Sequence, residues 1–341
     1  MNNTSWLQQW LENVWYKGGK GKYLLLPLTG LYCAVNGFQR WKAIRNLKNK
    51  PKLPCPVIVV GNITVGGTGK TPLTVYLVKL LQKAGYKPAI ITRGYGGQAT
   101  SWPQSVTHES DAQQVGDEAV LMASRTQVTV FAGADRMESI EQLLKNHDCD
   151  VIISDDGMQH YKMPRDMQIA VIDGTRLLGN GLCLPAGPLR EKKEKLDECD
   201  FVVVNSVNDT QELNSRWIRM ELEGGSLTNI NSDLSRDLTK AISDFNGVQV
   251  HAVTGIGNPQ RFYKTLEQTG LKLITHSFPD HHDFKADDIK FNDELPIVMT
   301  EKDAVKCRQF AGDNVWYLPV SARLSENFDE QFLTVLKRKR I

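Results

Sequence analysis

Residues 59–72 read VVGNITVGGTGKTP, with Gly66, Gly67 and Gly69 standing just ahead of Lys70 and Thr71. A glycine-rich turn between a strand and a helix exposes backbone N–H groups that ring an oxyanion, and the helix N-terminus adds partial positive charge. Lys70 is spaced to reach the β and γ phosphates of a nucleoside triphosphate, and Thr71 to place its hydroxyl on Mg²⁺. The usual pattern G-x-x-x-x-G-K-[ST] puts a glycine where this chain has Thr64. That change removes the freedom to take positive φ at one position, which Gly66 can supply instead. An ordinary glycine-rich turn is the alternative, and the strand-loop-helix context favours the phosphate site. Thr64, Val65, Gly66, Gly67, Thr68, Gly69, Lys70 and Thr71 are therefore expected to form it.

Four polar clusters follow apolar runs: GDE at Gly116–Glu118, SDDGMQH at Ser154–His160, GPLRE at Gly187–Glu191 and FPDHHDF at Phe278–Phe284. Ligands of open parallel sheets bind at such strand ends. Asp155 and Asp156 stand after VIIS as a metal-holding acid does, and adjacent residues at a strand end point to opposite sides, so one of the two is expected to face Mg²⁺. Asp117 and Glu118 open a helix, where capping and general-base chemistry are both open. His281 and His282 are poorly spaced for zinc, being neighbours without a third ligand; a histidine could orient a carboxylate base, but spacing alone pairs neither with Asp117.

These residues need a scaffold that brings strand ends together. Apolar β-branched runs at 56–62, 88–94, 128–134, 151–157, 169–174 and 201–205 alternate with helix-length segments, the pattern of a doubly wound, mostly parallel α/β sheet covered on both faces. Residues 215–231 alternate about Gly224-Gly225 and read as a β-hairpin. Strand-like runs at 250–255, 271–278, 296–300 and 315–320 imply a second, smaller α/β lobe. The expected division is a basic helical region (1–52), a core bearing the phosphate loop (53–210), a hairpin linker (211–235) and the second lobe (236–341).

The net charge of +2 conceals an asymmetry, because residues 1–52 hold nine of the Lys and Arg residues against Glu12 alone. The uncharged run YLLLPLTGLYCAVNGF (23–38) lies inside this basic segment, bracketed by Trp6, Trp10, Trp15 and Trp41. It is shorter than the roughly 20 apolar residues of a membrane span and contains Pro27, Gly30 and Asn36. No small-residue cleavage site follows it, which argues against a signal peptide. An interfacial helix on an anionic leaflet is expected, in preference to a nucleic-acid arm or a helix packed wholly on the protein. Six cysteines without a C-x-x-C pair fit neither a disulfide scaffold nor a zinc site and suit a reducing cytosol.

Taken in order, TVGGTGKTP, TRGYGG, VGDEA, FAGADR, DDGMQH, GPLRE, FPDHHDF and TEKDAVK resemble the motifs of the tetraacyldisaccharide 4′-kinase family from the basic N-terminal helix to about residue 320. The resemblance implies a P-loop NTPase-like fold, ATP and Mg²⁺ as cofactors, and transfer of the γ-phosphoryl group to the 4′-hydroxyl of tetraacyldisaccharide 1-phosphate, an acylated glucosamine disaccharide lipid, to give lipid IVA. It implies a monomer at the cytoplasmic face of the inner membrane, peripheral or monotopic, with no nucleic-acid partner. By the same resemblance Lys70 and Thr71 are the loop lysine and its Mg²⁺ partner, Asp117 is the base and His281 orients and tunes it. Asp155, Asp156 and Glu191 are acids around the metal and phosphates, and Arg190 stabilises charge beside them. Met158, where the family often has an aromatic residue, and Ala119, where proline is common, depart only in local packing. TEKD after PIVM is a candidate for adenine recognition. Two rivals remain at this stage. A membrane-bound ATPase switch would place a second lysine where Val65 stands, and an ATP-dependent ligase of a soluble substrate would not need the basic, apolar N-terminus.

Overall fold

The computed structural model describes residues 6–47, 52–207, 213–232, 235–236 and 249–339. The expected 210/211 boundary, and Lys48 and Lys50 of the basic segment, lie outside these. The chain forms two compact units, both discontinuous in sequence: residues 1–93, 135–221 and 323–341, and residues 94–134 and 222–322.

The sheet of the first unit runs in the order Trp217–Gly224, Phe201–Asn205, Met167–Asp173, Val57–Gly61, Val151–Asp155 and Pro88–Thr92, each pair parallel. Its central strands are buried throughout and apolar up to their carboxyl-terminal residues, where Ser154, Asp155 and Asn205 stand, as suits parallel strands between helices. Helix Lys70–Lys83 buries Leu73, Leu77, Val78 and Leu81, and helix Arg136–Asn146 buries Ile140 and Leu143. The last helix, Phe328–Lys339, repeats Phe328, Phe332 and Leu336 at four-residue intervals on one face, where Phe328 meets Phe201 edge-on at 5.4 Å between ring centroids. Val57–Gly61 lies between strands reached in opposite directions along the chain, and its register sets Val60 opposite Asp155. A chain reversal of this kind opens a crevice at the carboxyl ends of the strands. Met158 is fully buried, and a β-carbon on Gly61 would come within 2.6 Å of its Cβ, so this methionine fills the space that a glycine-lined strand leaves.

The second unit has its own sheet, in the order Ser235–Arg236, Leu227–Asn229, Val315–Leu318, Ile297–Thr300, Gln249–Thr254 and Lys272–Ser277, the last four parallel. Alternate residues sort into two cores. Val250, Ala252, Val298, Trp316 and Leu318 pack with Phe262 and Leu266 of helix Pro259–Glu267, whereas Val253, Met299 and Val315 pack with Ala304 and Cys307 of helix Glu301–Cys307. Residues 215–231 do not form the expected hairpin. Trp217–Gly224 pairs in parallel with Phe201–Asn205, while Leu227–Asn229 pairs antiparallel with Val315–Leu318, so the Gly224-Gly225 break passes the chain from one sheet to the other.

At the N-terminus, helix Trp6–Tyr16 is followed by the 26-residue helix Lys22–Leu47, which runs through Pro27, Gly30 and Asn36. Its polar side holds it to the first unit. Thr29 Oγ1 donates to the Cys183 carbonyl (3.3 Å) and accepts from Ala186 N (3.0 Å), and Tyr32 Oη and Asn36 Nδ2 both donate to the Arg190 carbonyl, at 3.0 and 3.4 Å. Arg40 pairs with Glu198. Leu24, Leu28, Leu31, Val35 and Phe38, spaced as one helical face, are all exposed. Among the described residues, no helix is long and apolar enough to cross a membrane.

Phe328→Ala empties a packed aromatic site and is expected to destabilise the fold by about 3–5 kcal/mol, read as a lower midpoint in equilibrium urea unfolding.

Candidate active site

In the first unit, the chain leaving strand Val57–Gly61 is gripped from outside before it reaches the helix. Thr64 is buried and bridges Leu189 antiparallel, Val65 N donates to the Pro188 carbonyl (2.9 Å), and Arg190 N donates to the Ile63 carbonyl (2.7 Å). Pairing of this kind asks Thr64 for no left-handed backbone, and the left-handed residues of the loop are Gly66 (φ 100°) and Gly69 (φ 92°). The loop closes through Asn62 Nδ2 to the Gly66 carbonyl (3.2 Å) and Asn205 Nδ2 to the Thr68 carbonyl (3.0 Å). A β-carbon on Gly69 would sit 2.6 Å from that same Asn205 nitrogen, so backbone and brace meet only because residue 69 has no side chain. Gly69 caps helix Lys70–Lys83 with no side-chain acceptor, which leaves the first-turn N–H groups to a ligand. A β-carbon on Gly67 would meet only open space, the clearance an anion needs over that backbone.

The pairing that grips the loop also delivers Arg190 and Glu191 to it. Arg190 Nη1 lies 3.4 Å from Asp156 Oδ1, and Lys70 Nζ lies 3.7 Å from the same oxygen. Gln159 Nε2 donates to Glu191 Oε1 (2.9 Å) and its Oε1 accepts from Arg190 Nη1 (3.2 Å), while Tyr161 holds the other Glu191 oxygen. Asp155 is sealed in its strand and accepts from Thr74 Oγ1 at 2.9 Å, but Asp156 turns out of the strand with φ 47°. The two acids thus part, as adjacent strand-end residues must. Burial pushes the Asp156 carboxyl up, and the charges of Lys70, Arg190 and Arg136 more than offset this, so it ends below the ordinary carboxylate value. Arg136, buried and donating to the Asp155 carbonyl at 3.4 Å, is lowered to about 10 by burial despite both aspartates. The sequence reading did not select Arg136, Gln159 or Tyr161, although FAGADR and DDGMQH contain two of them.

The second unit assembles a different cluster. Gly116 (φ 94°) precedes helix Asp117–Thr126, and a β-carbon there would meet the Tyr95 carbonyl at 2.6 Å. Asp117 Oδ1 accepts from Glu118 N (2.8 Å), and its Oδ2 lies 3.2 Å from His281 Nδ1. The structure therefore makes the Asp117–His281 pair that spacing alone does not. His282 turns elsewhere, to Asp288 Oδ2 at 3.0 Å. TEKDAVK belongs to the same cluster. Thr300 caps helix Glu301–Cys307, Asp303 Oδ2 accepts from Gly255 N (2.9 Å) and Thr254 Oγ1 (3.1 Å), and Lys302 and Lys306 point back to His281 and Asp117. Those contacts engage Lys302 with His281, and Asp303 with Thr254 and Gly255. Burial raises the Asp117 carboxyl, but the His281 hydrogen bond and the Lys302, His281 and Lys306 charges leave it below the ordinary value. His281 is held above its ordinary 6.5 by its bond to Asp117, against burial and the Lys302 charge. Among the described residues, no group of three or more His, Cys, Asp or Glu side chains is placed to hold a metal by itself.

Comparison with known proteins is consistent along the chain. The family model for LpxK, tetraacyldisaccharide-1-P 4′-kinase, matches residues 21–337. Tetraacyldisaccharide 4′-kinases of Nitrosococcus oceani and Pseudoalteromonas atlantica are 43% and 46% identical, covering 95% and 92% of this chain and 93% and 99% of their own. The same enzyme of Shewanella piezotolerans is 44% identical over 97% of this chain and 98% of its own. The crystal structure of Aquifex aeolicus LpxK in complex with ATP superposes with a TM-score of 0.77 at 28% identity, covering 93% of this chain and 99% of that one. A family model and relatives that span nearly the whole sequence, both lobes and every cluster described above, establish that the chain belongs to the tetraacyldisaccharide-1-P 4′-kinase family.

Proposed function

We propose that the chain transfers the γ-phosphoryl group of ATP to the 4′-hydroxyl of tetraacyldisaccharide 1-phosphate, forming lipid IVA. Membership of the family supports the reaction, and the observation that carries it is the phosphate loop whose Lys70 faces Asp156 beside Arg190. Phosphoryl transfer asks a protein mainly to position groups and neutralise charge. Loop residues 64–71 take the phosphates, through the backbone N–H groups beyond Val65, whose own N–H is given to Pro188; Lys70 takes negative charge on the β and γ oxygens, and Arg190 stabilises charge as it moves.

Mg²⁺ suits the oxygen donors available. This ion keeps waters and phosphate oxygens and needs only one or two protein carboxylates, so a large acidic cage is not required. Among Thr71, Asp155, Asp156 and Glu191, the carboxylate that turns out of its strand towards Lys70 and Arg190 is Asp156. Both oxygens of Glu191 are taken by Gln159 and Tyr161, which suits it to orienting Arg190 and its surroundings, and Asp155 accepts from Thr74. When bound, the ion would screen the phosphate oxygens.

Asp117 accepts the proton of the attacking hydroxyl, and its bond to His281 aims the carboxylate. The oxygen–proton bond breaks as the new oxygen–phosphorus bond forms, and ADP departs. Because the acceptor carries acyl chains, helix Lys22–Leu47 is assigned to an anionic membrane surface at the cytoplasmic face of the inner membrane. Its exposed Leu24, Leu28, Leu31, Val35 and Phe38 face the acyl boundary, flanked by Lys20, Lys22, Arg40 and Lys42, and the protein acts peripherally as a monomer.

The direct test follows labelled phosphate from ATP into tetraacyldisaccharide 1-phosphate in mixed micelles; ATP hydrolysis without transfer to lipid would sink the proposal. In that assay Lys70→Ala is expected to lower kcat on the order of 10²–10³-fold or more, and Asp117→Asn by about 10²–10⁴-fold. Because the His281 pKa lies above 6.5, an imidazolium forms as pH falls through that value and weakens Asp117 as a base. The acid limb of the kcat/KM profile should therefore sit above pH 6.5 and move down towards the carboxylate range in His281→Asn. Leu28→Glu/Leu31→Glu/Phe38→Glu should abolish sedimentation with anionic vesicles while ATP binding persists.

A further inference from the structure

His281 is held between two partners that make opposite demands on it. Its Nδ1 lies 3.2 Å from Asp117 Oδ2, and its Nε2 lies 3.2 Å from Lys302 Nζ. A lysine ammonium carries only donors, so contact at that distance requires a lone pair on Nε2. The hydrogen-bond network therefore assigns the single ring proton to Nδ1, from which it is donated to Asp117. A neutral imidazole hydrogen-bonded in this order is one tautomer of two, and in isolation nothing in the ring would select it.

We propose that Lys302 is a positioning residue for the general base: by donating to Nε2 of His281, it fixes the ring as the neutral Nδ1–H tautomer that aims Asp117 at the acceptor hydroxyl. The proposal rests on the reading of Asp117 as the base. During transfer the hydroxyl proton passes to the Asp117 carboxylate, the acceptor oxygen–phosphorus bond forms as the bond from the γ-phosphorus to the bridging oxygen of ATP breaks, ADP leaves with that electron pair, and the ring keeps its own proton.

The surroundings fit this role. Lys302 stands in the first turn of helix Glu301–Cys307, and its ammonium is also steered by Glu118 Oε1 (3.2 Å) and Asp280 Oδ1 (3.8 Å). Burial alone would weaken that ammonium, but Glu118, Asp117 and Asp280 outweigh it and keep Lys302 charged. The ring of Tyr95 packs on His281 at 4.8 Å between centroids, limiting its rotation. The other charged groups facing the pair are Lys306, 3.8 Å from Asp117 Oδ2 and 2.9 Å from Asp303 Oδ1, and Asp280, 4.0 Å from His281 Nε2. His282 is turned to Asp288 and takes no part. Lys302 is therefore the cation placed to oppose the imidazolium that Asp117 favours. Glu118, usually read as a helix-capping acid, holds Lys302 in register.

The test uses the full chain with ¹⁵N-labelled histidine, the His281 signals being identified by their loss in His281→Asn. Wild-type protein should show the Nδ1–H pattern at pH values above its titration. Lys302→Met should mix the tautomers and raise the His281 midpoint by about one pH unit. In the same variant the acid limb of kcat/KM should move up by the same amount, opposite to the downward move in His281→Asn, and Lys302→Arg should restore both. A folded Lys302→Met protein whose His281 tautomer and midpoint are unchanged overturns the proposal, as does a shifted midpoint with an unmoved acid limb. Full turnover in Asp117→Asn would instead overturn the base reading, and the tautomer measurement separates that failure from failure of the proposal.

Discussion

Two backbone hydrogen bonds between residues 63–65 and 188–190 bear most of what the first unit does. They hold Thr64 extended, so the loop needs left-handed residues only where glycines stand, at 66 and 69. They fix the backbone of Arg190, so its guanidinium reaches Asp156 and Gln159 from a rigid base rather than from a free loop. The carbonyl of the same residue receives Tyr32 and Asn36 from the long N-terminal helix. A side chain held in this way loses little entropy when it meets a phosphate, which is the physical content of preorganisation.

Charge in both units follows a common rule. The half-buried Asp156 and the buried Asp117 stay ionised because cations are built in beside them: Lys70, Arg190 and Arg136 around Asp156, and Lys302 and Lys306 around Asp117. The outcome differs because the neighbours differ. Asp156 stands beside Lys70, Arg190 and Arg136, which suits an acid that stays charged throughout. Asp117 shares its oxygen with an imidazole whose own protonation lies closer to neutrality, so its strength as a base can be adjusted.

Much of this organisation was legible in the chain. Long apolar runs marked the parallel strands because strands buried on both faces have nowhere to put polar residues, and the glycine–lysine–threonine turn marked the loop. Short strands such as Gln104–Val106 and Ser235–Arg236 left no such signal, since three or two mostly polar residues carry no usable periodicity. Residues 215–231 misled for a related reason: alternation reports a strand, but it does not name the partner, and the two arms found partners in separate sheets. Asp117 and His281 were each visible, but their contact spans 164 residues and was implied only by family resemblance. Gln159, Tyr161 and Arg136 were passed over, and Lys302 was read only within TEKD as a candidate for adenine recognition, because their roles are relational: they act by holding another side chain, and a linear sequence records no such neighbours.

The long N-terminal helix adds a geometric consequence. Its polar side is bonded to carbonyls 183 and 190, and its apolar side faces outward, so on the proposed membrane assignment the helix would be a spacer of fixed thickness between a bilayer surface and the Arg190 backbone. Nothing in that spacer can stretch without breaking hydrogen bonds at the phosphate-binding centre. With the outer face seated among lipid headgroups, as proposed, the first unit's loop would ride at one set height above the membrane plane. The depth at which an acceptor floats would then become part of its recognition, and a sugar carried too high or too low would be refused by reach alone, before any pocket had judged its shape.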